Sequence, residues 1–175
     1  MTSIANISQP ASTRSRTLTA LFLAIAMAIV VGTALGFEHI GGYIPCALCL
    51  TQRIPYYVGA PLMLIAALIS ILGGPAWAVR GLFGVGGLLM LYGLGLGVYH
   101  SGVEWHWWAG PASCATSANA VTTNAGSLLG DLTSKKPPSC DAAALRVLGL
   151  SFAGWNVLAS AVLAAVAFRG AMTKA

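Results

Sequence analysis

Four long runs of uncharged, mostly apolar residues determine what this 175-residue chain can fold into. The runs cover residues 17–37, 54–72, 81–99 and 147–168. A helix rises about 1.5 Å per residue and the hydrocarbon core of a bilayer is about 30 Å thick, so each run is long enough to cross it. The pattern predicts an all-α membrane protein, a bundle of four transmembrane helices.

The composition leaves little room for a soluble protein. Hydrophobic residues make up 57% of the chain and charged residues only 7%, whereas soluble domains average about 25% charged residues. The lysines and arginines are scattered, and a nucleic-acid interface needs them clustered, so we expect no nucleic-acid partner. Phosphate-loop, HExxH and GxSxG motifs do not occur in the sequence. We expect one membrane domain over residues 1–175.

Charge and cysteine placement predict how the bundle lies in the membrane. Four crossings bring both termini to one side. That side carries five of the nine lysines and arginines: Arg14, Arg16, Arg80, Arg169 and Lys174. By the positive-inside rule it is cytoplasmic. The opposite loops, residues 38–53 and the long loop 100–146, then hold all four cysteines. Disulfides persist in oxidising compartments such as the bacterial periplasm, so the placement of the cysteines agrees with this orientation.

The first cysteine pair stands at the start of the second run. Cys46 and Cys49 are three residues apart, one turn of a helix, and a helix start favours thiolates. Arg53 follows one turn later on the same face, where its charge would favour a Cys49 thiolate or an anionic ligand. We predict a redox-active dithiol without a metal. A zinc half-site or an inert disulfide is the alternative, and c-type haem attachment is excluded because no histidine follows Cys49.

The second pair, Cys114 and Cys140, encloses 25 residues of polar loop. If the two pair with each other, closing this loop would stabilise the fold by roughly 3–4 kcal/mol, which is the structural interpretation. The functional interpretation is an exposed disulfide that the thiolate of a partner protein attacks. Four cysteines allow three connectivities, so spacing leaves the pairing open. His100, at the outer end of the third run, is a further candidate for a proton-coupled step.

Small residues in the third run predict how that helix packs. Gly93 and Gly97 are four residues apart. This spacing places both on one face of a helix, where a neighbouring helix can approach closely.

These features together resemble the DsbB family of bacterial inner-membrane thiol oxidases. The resemblance rests on the sequence Pro-Cys-x-Leu-Cys-x-x-x-Arg over residues 45–53, and on the second cysteine pair between the third and fourth runs. It extends over about residues 17–168. It implies a membrane enzyme that reoxidises a DsbA-like periplasmic oxidase of the thioredoxin fold and passes the electrons to a quinone, either ubiquinone or menaquinone.

The resemblance also implies a role for each site residue. Cys114 is attacked by the partner's thiolate, and Cys140 then exchanges with Cys46. Cys49 passes the electrons to the bound quinone. Arg53 and His100 bind that quinone. Gln52 stands where some members of the family have glutamate, which removes a negative charge from that position.

Redox potentials favour a quinone as the acceptor. A DsbA-type partner has a potential near −120 mV, whereas a glutathione pool lies near −200 mV. Oxidation of the partner by glutathione would therefore be uphill by roughly 3.7 kcal/mol. The acceptor must be a stronger oxidant that reaches Cys49 from the lipid, and membrane quinones meet both conditions.

Two other interpretations fit part of the pattern. The vitamin K epoxide reductase family also combines a helical bundle with two cysteine pairs, but its quinone-facing pair belongs to the last span, and residues 147–168 contain no cysteine. The second is a non-catalytic membrane protein stapled by two structural disulfides. Such a protein would resist mild reduction and bind no quinone.

Overall fold

The protein is helical, with four long helices in the described part of the chain. The computed structural model describes residues 11–111 and 140–173, so Cys114 lies outside the described residues. The helices are α1 (Ala11–His39), α2 (Ala47–Ile71), α3 (Ala76–Glu104) and α4 (Phe152–Met172). Each is long and apolar enough to cross a membrane, which confirms the predicted four-span membrane protein.

Helix α2 begins seven residues before the apolar run that predicts it. The residue before its first turn is Cys46, whose Sγ accepts a hydrogen bond from the backbone N–H of Cys49 at 3.3 Å. This cap satisfies one of the unpaired N–H groups of the first turn. The cysteine pair therefore forms the start of the helix, and Pro55 lies inside α2.

The fourth helix begins later than its apolar run predicts. Strand β1 (Arg146–Val147) pairs antiparallel with β2 (Leu150–Ser151). Leu148 and Gly149 between them have φ angles of 51° and 83°, as a type I′ hairpin turn requires. The Ser151 hydroxyl then accepts from the Gly154 N–H at 3.2 Å and caps α4. The apolar run includes the residues of this hairpin because hydrophobicity alone does not indicate a turn.

Polar contacts between helix ends fix which ends lie together. The Thr17 hydroxyl donates to Ser70 Oγ at 2.9 Å, joining the start of α1 to the end of α2. Arg80 Nε donates to the Ala171 carbonyl oxygen at 2.6 Å, joining the start of α3 to the end of α4. The start of α2, the end of α3 and the start of α4 therefore meet at the opposite end of the bundle.

Close packing between α3 and α4 depends on small residues. A methyl group added at Gly97 would lie 2.9 Å from Val157 Cγ2, and one at Gly93 would lie 3.2 Å from Ser160 Oγ. This confirms the close approach predicted from the glycine spacing. Large buried side chains fill the interior: Leu23, Met27, Met63, Phe83 and Met90.

Candidate active site

The two cysteines at the start of α2 are close together and reduced. Cys46 Sγ and Cys49 Sγ are 2.8 Å apart, and both residues are free thiols. The two sulfurs are in hydrogen-bonding contact, and either thiol can be the donor. Cys46 Sγ also accepts from the Cys49 backbone N–H at 3.3 Å. Cys46 Sγ therefore contacts both the thiol and the backbone N–H of Cys49.

These hydrogen bonds place the negative charge of the pair on Cys46. The Cys49 thiol, donating to Cys46 Sγ, lowers the pKa of Cys46 from 9.0 to about 4. Burial opposes this shift, and His100, whose Nε2 is 3.7 Å from the sulfur, adds to it. A hydrogen bond to the charged form favours that form. The thiolate is therefore Cys46, and Cys49 holds the remaining proton. This differs from the expectation that Arg53 would favour a thiolate at Cys49, because the hydrogen bonds between the two cysteines outweigh the charge of Arg53.

Arg53 has a charged partner on another helix. Its Nη1 donates to Glu38 Oε2 at 2.5 Å, and the two side chains are only 12% and 26% exposed. The ion pair ties the end of α1 to the second turn of α2. Arg53 therefore stands in the site with its charge largely balanced. Sequence reasoning missed Glu38, although it is one of only four acidic residues in the chain.

His100 lies against the cysteine pair. The imidazole is buried, with Nε2 3.7 Å from Cys46 Sγ and 3.9 Å from Glu104 Oε1. Its other nitrogen, Nδ1, is 2.6 Å from Gln52 Nε2. The sequence placed His100 only near the outer end of α3, and the structure brings it into contact with residues of α2.

The cysteines and His100 also form a set of three possible metal ligands, with their ligand atoms within 4.8 Å of one another. Two thiolates on one tetrahedral zinc ion would have sulfurs about 3.8 Å apart, given Zn–S bonds of about 2.3 Å. The observed separation of Cys46 and Cys49 is 2.8 Å. The two sulfurs would have to move apart by about 1 Å before one zinc ion could bind both.

A polar network that sequence reasoning missed crosses from α2 to α4. Asn156 Nδ2 donates to Gln52 Oε1 at 2.7 Å and to the Gly93 carbonyl oxygen at 3.1 Å. The Tyr56 hydroxyl donates to Asn156 Oδ1 at 2.6 Å and lies 2.8 Å from Ser160 Oγ. Polar residues inside a membrane span are costly and mark functional sites, so Asn156 was the available signal.

A cavity of about 380 Å³ lies beside this network, between α1, α2 and α4. Its volume is in the range of small-molecule sites. Cys49 lines it, and Cys46 does not. The apolar part of the wall includes Val31, Phe37, Ile44, Phe152 and Trp155. The polar part includes Glu38, Gln52, Arg53, Tyr56, His100 and Asn156.

Cys140 lies on the other side of the cysteine pair. It is 2% exposed, is disulfide-bonded, and packs in a buried cluster with Cys46, Leu48 and Val103. Cys49 packs against the edge of this cluster. Three of the four predicted cysteines, together with Arg53 and His100, are thus brought to one end of the bundle.

The chain was compared with known proteins. Curated proteins and solved structures gave no match. The family model described as disulfide bond formation protein DsbB matches residues 15–169, which is most of the chain. This match covers α2 and α3 completely, most of α1 and α4, and all four cysteines. The protein therefore belongs to the DsbB family of membrane oxidases that act in disulfide bond formation.

Proposed function

We propose that this protein oxidises a DsbA-like protein of the thioredoxin fold and passes the electrons to a membrane quinone. The observation that carries the proposal is the unequal surroundings of Cys46 and Cys49. Cys49 lines an apolar cavity between helices, while Cys46 is buried beside Cys140. Within one cysteine pair, Cys46 thus lies beside the disulfide-bonded Cys140, and Cys49 lies at a small-molecule site.

Thiol–disulfide exchange accounts for the transfer in two steps. The partner's dithiol first reduces a Cys114–Cys140 disulfide, which leaves the partner oxidised and both cysteines as thiols. The Cys114/Cys140 dithiol then reduces a Cys46–Cys49 disulfide, with Cys140 attacking Cys46. This leaves Cys46 and Cys49 as thiols and restores the Cys114–Cys140 disulfide. The described arrangement, a free Cys46/Cys49 pair with Cys140 in a disulfide, matches the state after the second step.

The cavity residues fit a quinone. A quinone ring is flat and apolar, with two carbonyl acceptors, and the cavity combines apolar walls with the Arg53 donor. When bound, a quinone would supply an acceptor for two electrons and two protons. Formation of the Cys46–Cys49 disulfide from the thiolate–thiol pair releases two electrons and the proton of Cys49, and the second proton comes from water. Ile29 and Trp155 line the cavity and are exposed at the surface of the bundle, and we expect an isoprenoid tail to leave the cavity between them.

Membrane orientation follows from where the cations lie. Arg80 is at the bundle end where α3 starts and α4 ends, away from the cysteines. Arg14 and Arg16 begin α1 at the same end, and Arg169 is in the last turn of α4. We infer that this end is cytoplasmic and that the cysteine end faces the periplasm of a bacterial inner membrane.

The proposal is tested with the purified protein in lipid nanodiscs, a reduced DsbA-like protein, and either ubiquinone or menaquinone. Quinone absorbance reports reduction, and thiol titration of the partner reports oxidation. We expect two thiols of the partner to be lost for each quinone reduced. Cys49→Ala should abolish quinone reduction, and Leu158→Ala, at a lipid-exposed position of α4, should not. A wild-type protein that reduces neither quinone would refute the proposal.

A further inference from the structure

The polar network between α2, α3 and α4 has a direction. A backbone carbonyl can only accept a hydrogen bond, so the Asn156 atom 3.1 Å from Gly93 O must be the amide nitrogen. Asn156 Oδ1 then faces the Tyr56 hydroxyl, which donates to it at 2.6 Å. The second N–H of Asn156 points at Gln52. Gly93 therefore determines the orientation of the Asn156 amide.

The orientation of Asn156 determines the orientations that follow. Gln52 Oε1 accepts from Asn156 Nδ2 at 2.7 Å, so the Gln52 amide nitrogen is the atom 2.6 Å from His100 Nδ1. That nitrogen can only donate, and His100 Nδ1 must accept. A neutral imidazole that accepts at one nitrogen carries its proton on the other. The proton of His100 is then on Nε2, which is 3.7 Å from Cys46 Sγ.

We propose that Asn156 is a positioning residue, which acts through Gln52 to hold His100 in the tautomer whose Nε2–H faces the Cys46 thiolate. Asn156 touches neither sulfur. Its effect is transmitted by two hydrogen bonds, one from Asn156 to Gln52 and one from Gln52 to His100. In both bonds the amide nitrogen is the donor. The inference deepens the proposed function because Cys46 is the sulfur that exchanges with Cys140 and that carries charge in the reduced pair.

The other groups around His100 favour the same tautomer. Cys46 and, from the next turn of α3, Glu104 both present electron-rich atoms to Nε2, at 3.7 and 3.9 Å. Glu104 Oε2 has no hydrogen-bond partner among the residues that the structure describes. Cys49 donates a hydrogen bond to Cys46 and keeps its proton, and Tyr56 lies at the far end of the network. A lone pair on Nε2 would face two such acceptors without a proton between them.

The test reads the tautomer directly. The chain has three histidines, and 15N-histidine labelling of the reduced protein in nanodiscs distinguishes a protonated from an unprotonated ring nitrogen. The His100 signals are assigned by their loss in His100→Gln. We expect the wild type to carry a proton on Nε2 and none on Nδ1. Asn156→Asp removes the N–H groups that Gln52 and Gly93 accept, so the Gln52 amide turns round and Nδ1 becomes protonated.

A second variant measures the consequence for Cys46 without adding a charge. Asn156→Leu releases Gln52, and the pH midpoint of the Cys46 thiolate should rise by roughly half to one unit, because a hydrogen bond to a charged group is lost. Leu158→Ala is the control, since it shortens an exposed side chain on the same helix outside the polar network. It should change neither the tautomer nor the midpoint.

Several results would overturn the inference. One is a wild-type His100 with its proton on Nδ1, and another is an Nδ1 that stays unprotonated in Asn156→Asp. An unchanged thiolate midpoint in Asn156→Leu is the third. None of these measurements uses quinone or a partner protein, so their failure is distinct from a failure of the proposed function. Thermal unfolding in nanodiscs shows that each variant is folded, and the wild-type tautomer is decisive even if the Asn156 variants do not fold.

Discussion

The Arg53 guanidinium is held by the Glu38 carboxylate across the interface of α1 and α2, with Nη1 and Oε2 2.5 Å apart. Both side chains line the cavity that Cys49 also lines. An isolated charge at this depth in a bilayer is costly, and a paired charge is less so. The pair therefore allows a cationic donor to stand at the wall of an otherwise apolar site.

Replacing Arg53 should weaken quinone binding. We expect Arg53→Ala to raise the apparent KM for quinone about tenfold, equivalent to about 1.4 kcal/mol, because a charged hydrogen-bond donor is lost. Steady-state quinone reduction at saturating partner measures this. Arg53→Lys keeps the charge and should show a smaller increase. A KM for Arg53→Ala equal to that of the wild type would remove Arg53 from the binding site.

The Cys46 thiolate should persist in acid. Because hydrogen bonding lowers the pKa of Cys46 from 9.0 to about 4, its charge should be constant near neutral pH and be lost as the pH falls through about 4. Thiolate ultraviolet absorbance measures this in a reduced protein that carries Cys114→Ser and Cys140→Ser. Cys49→Ala removes the main donor and should move the midpoint upward, toward 9.0. A midpoint that stays near 4 in that variant would show that another group holds the charge.

The contact between α3 and α4 should be sensitive to one methyl group. A Cβ at position 97 would lie 2.9 Å from Val157 Cγ2 and 3.0 Å from Asn156 Nδ2. Gly97→Ala should therefore lower the free energy of unfolding by about 1–3 kcal/mol, as overpacking does. Gly95→Ala, where a Cβ meets nothing within 4 Å, is the control and should not destabilise the protein. Equal thermal stabilities of the two variants would contradict the close approach.

The sequence predicted the spans and the position of the cysteine pair because both follow from local composition. Apolar length alone indicates a membrane helix, and Cys46 and Cys49 are close whenever a helix begins there. The hairpin before α4 was missed because Leu148 adopts a positive φ, which is uncommon for residues other than glycine and is not apparent from hydrophobicity.

Contacts between distant segments account for the rest of the site. Glu38 and Arg53 are 15 residues apart, and Gln52 and Asn156 are 104 apart. No periodicity or motif in the sequence indicates that the two residues of either pair are in contact. Such pairs form only when helices pack in one arrangement, so the single sequence showed the charged and polar residues without their partners.

Removing Cys49 should trap a disulfide between the two loops. In Cys49→Ala the Cys46 sulfur remains buried in one cluster with Cys140, which is itself in a disulfide. Attack of Cys46 on Cys140 forms a Cys46–Cys140 bond and releases the former partner of Cys140 as a thiolate, so no added oxidant is needed. Peptide mapping by mass spectrometry under non-reducing conditions should find this bond in a substantial fraction of the protein.

Cys46→Ala is the matched control: Cys49 lines the cavity and reaches only the edge of the cluster, so a Cys49–Cys140 bond should be much less abundant. Equal amounts of the two bonds would mean that Cys46 and Cys49 do not have separate roles.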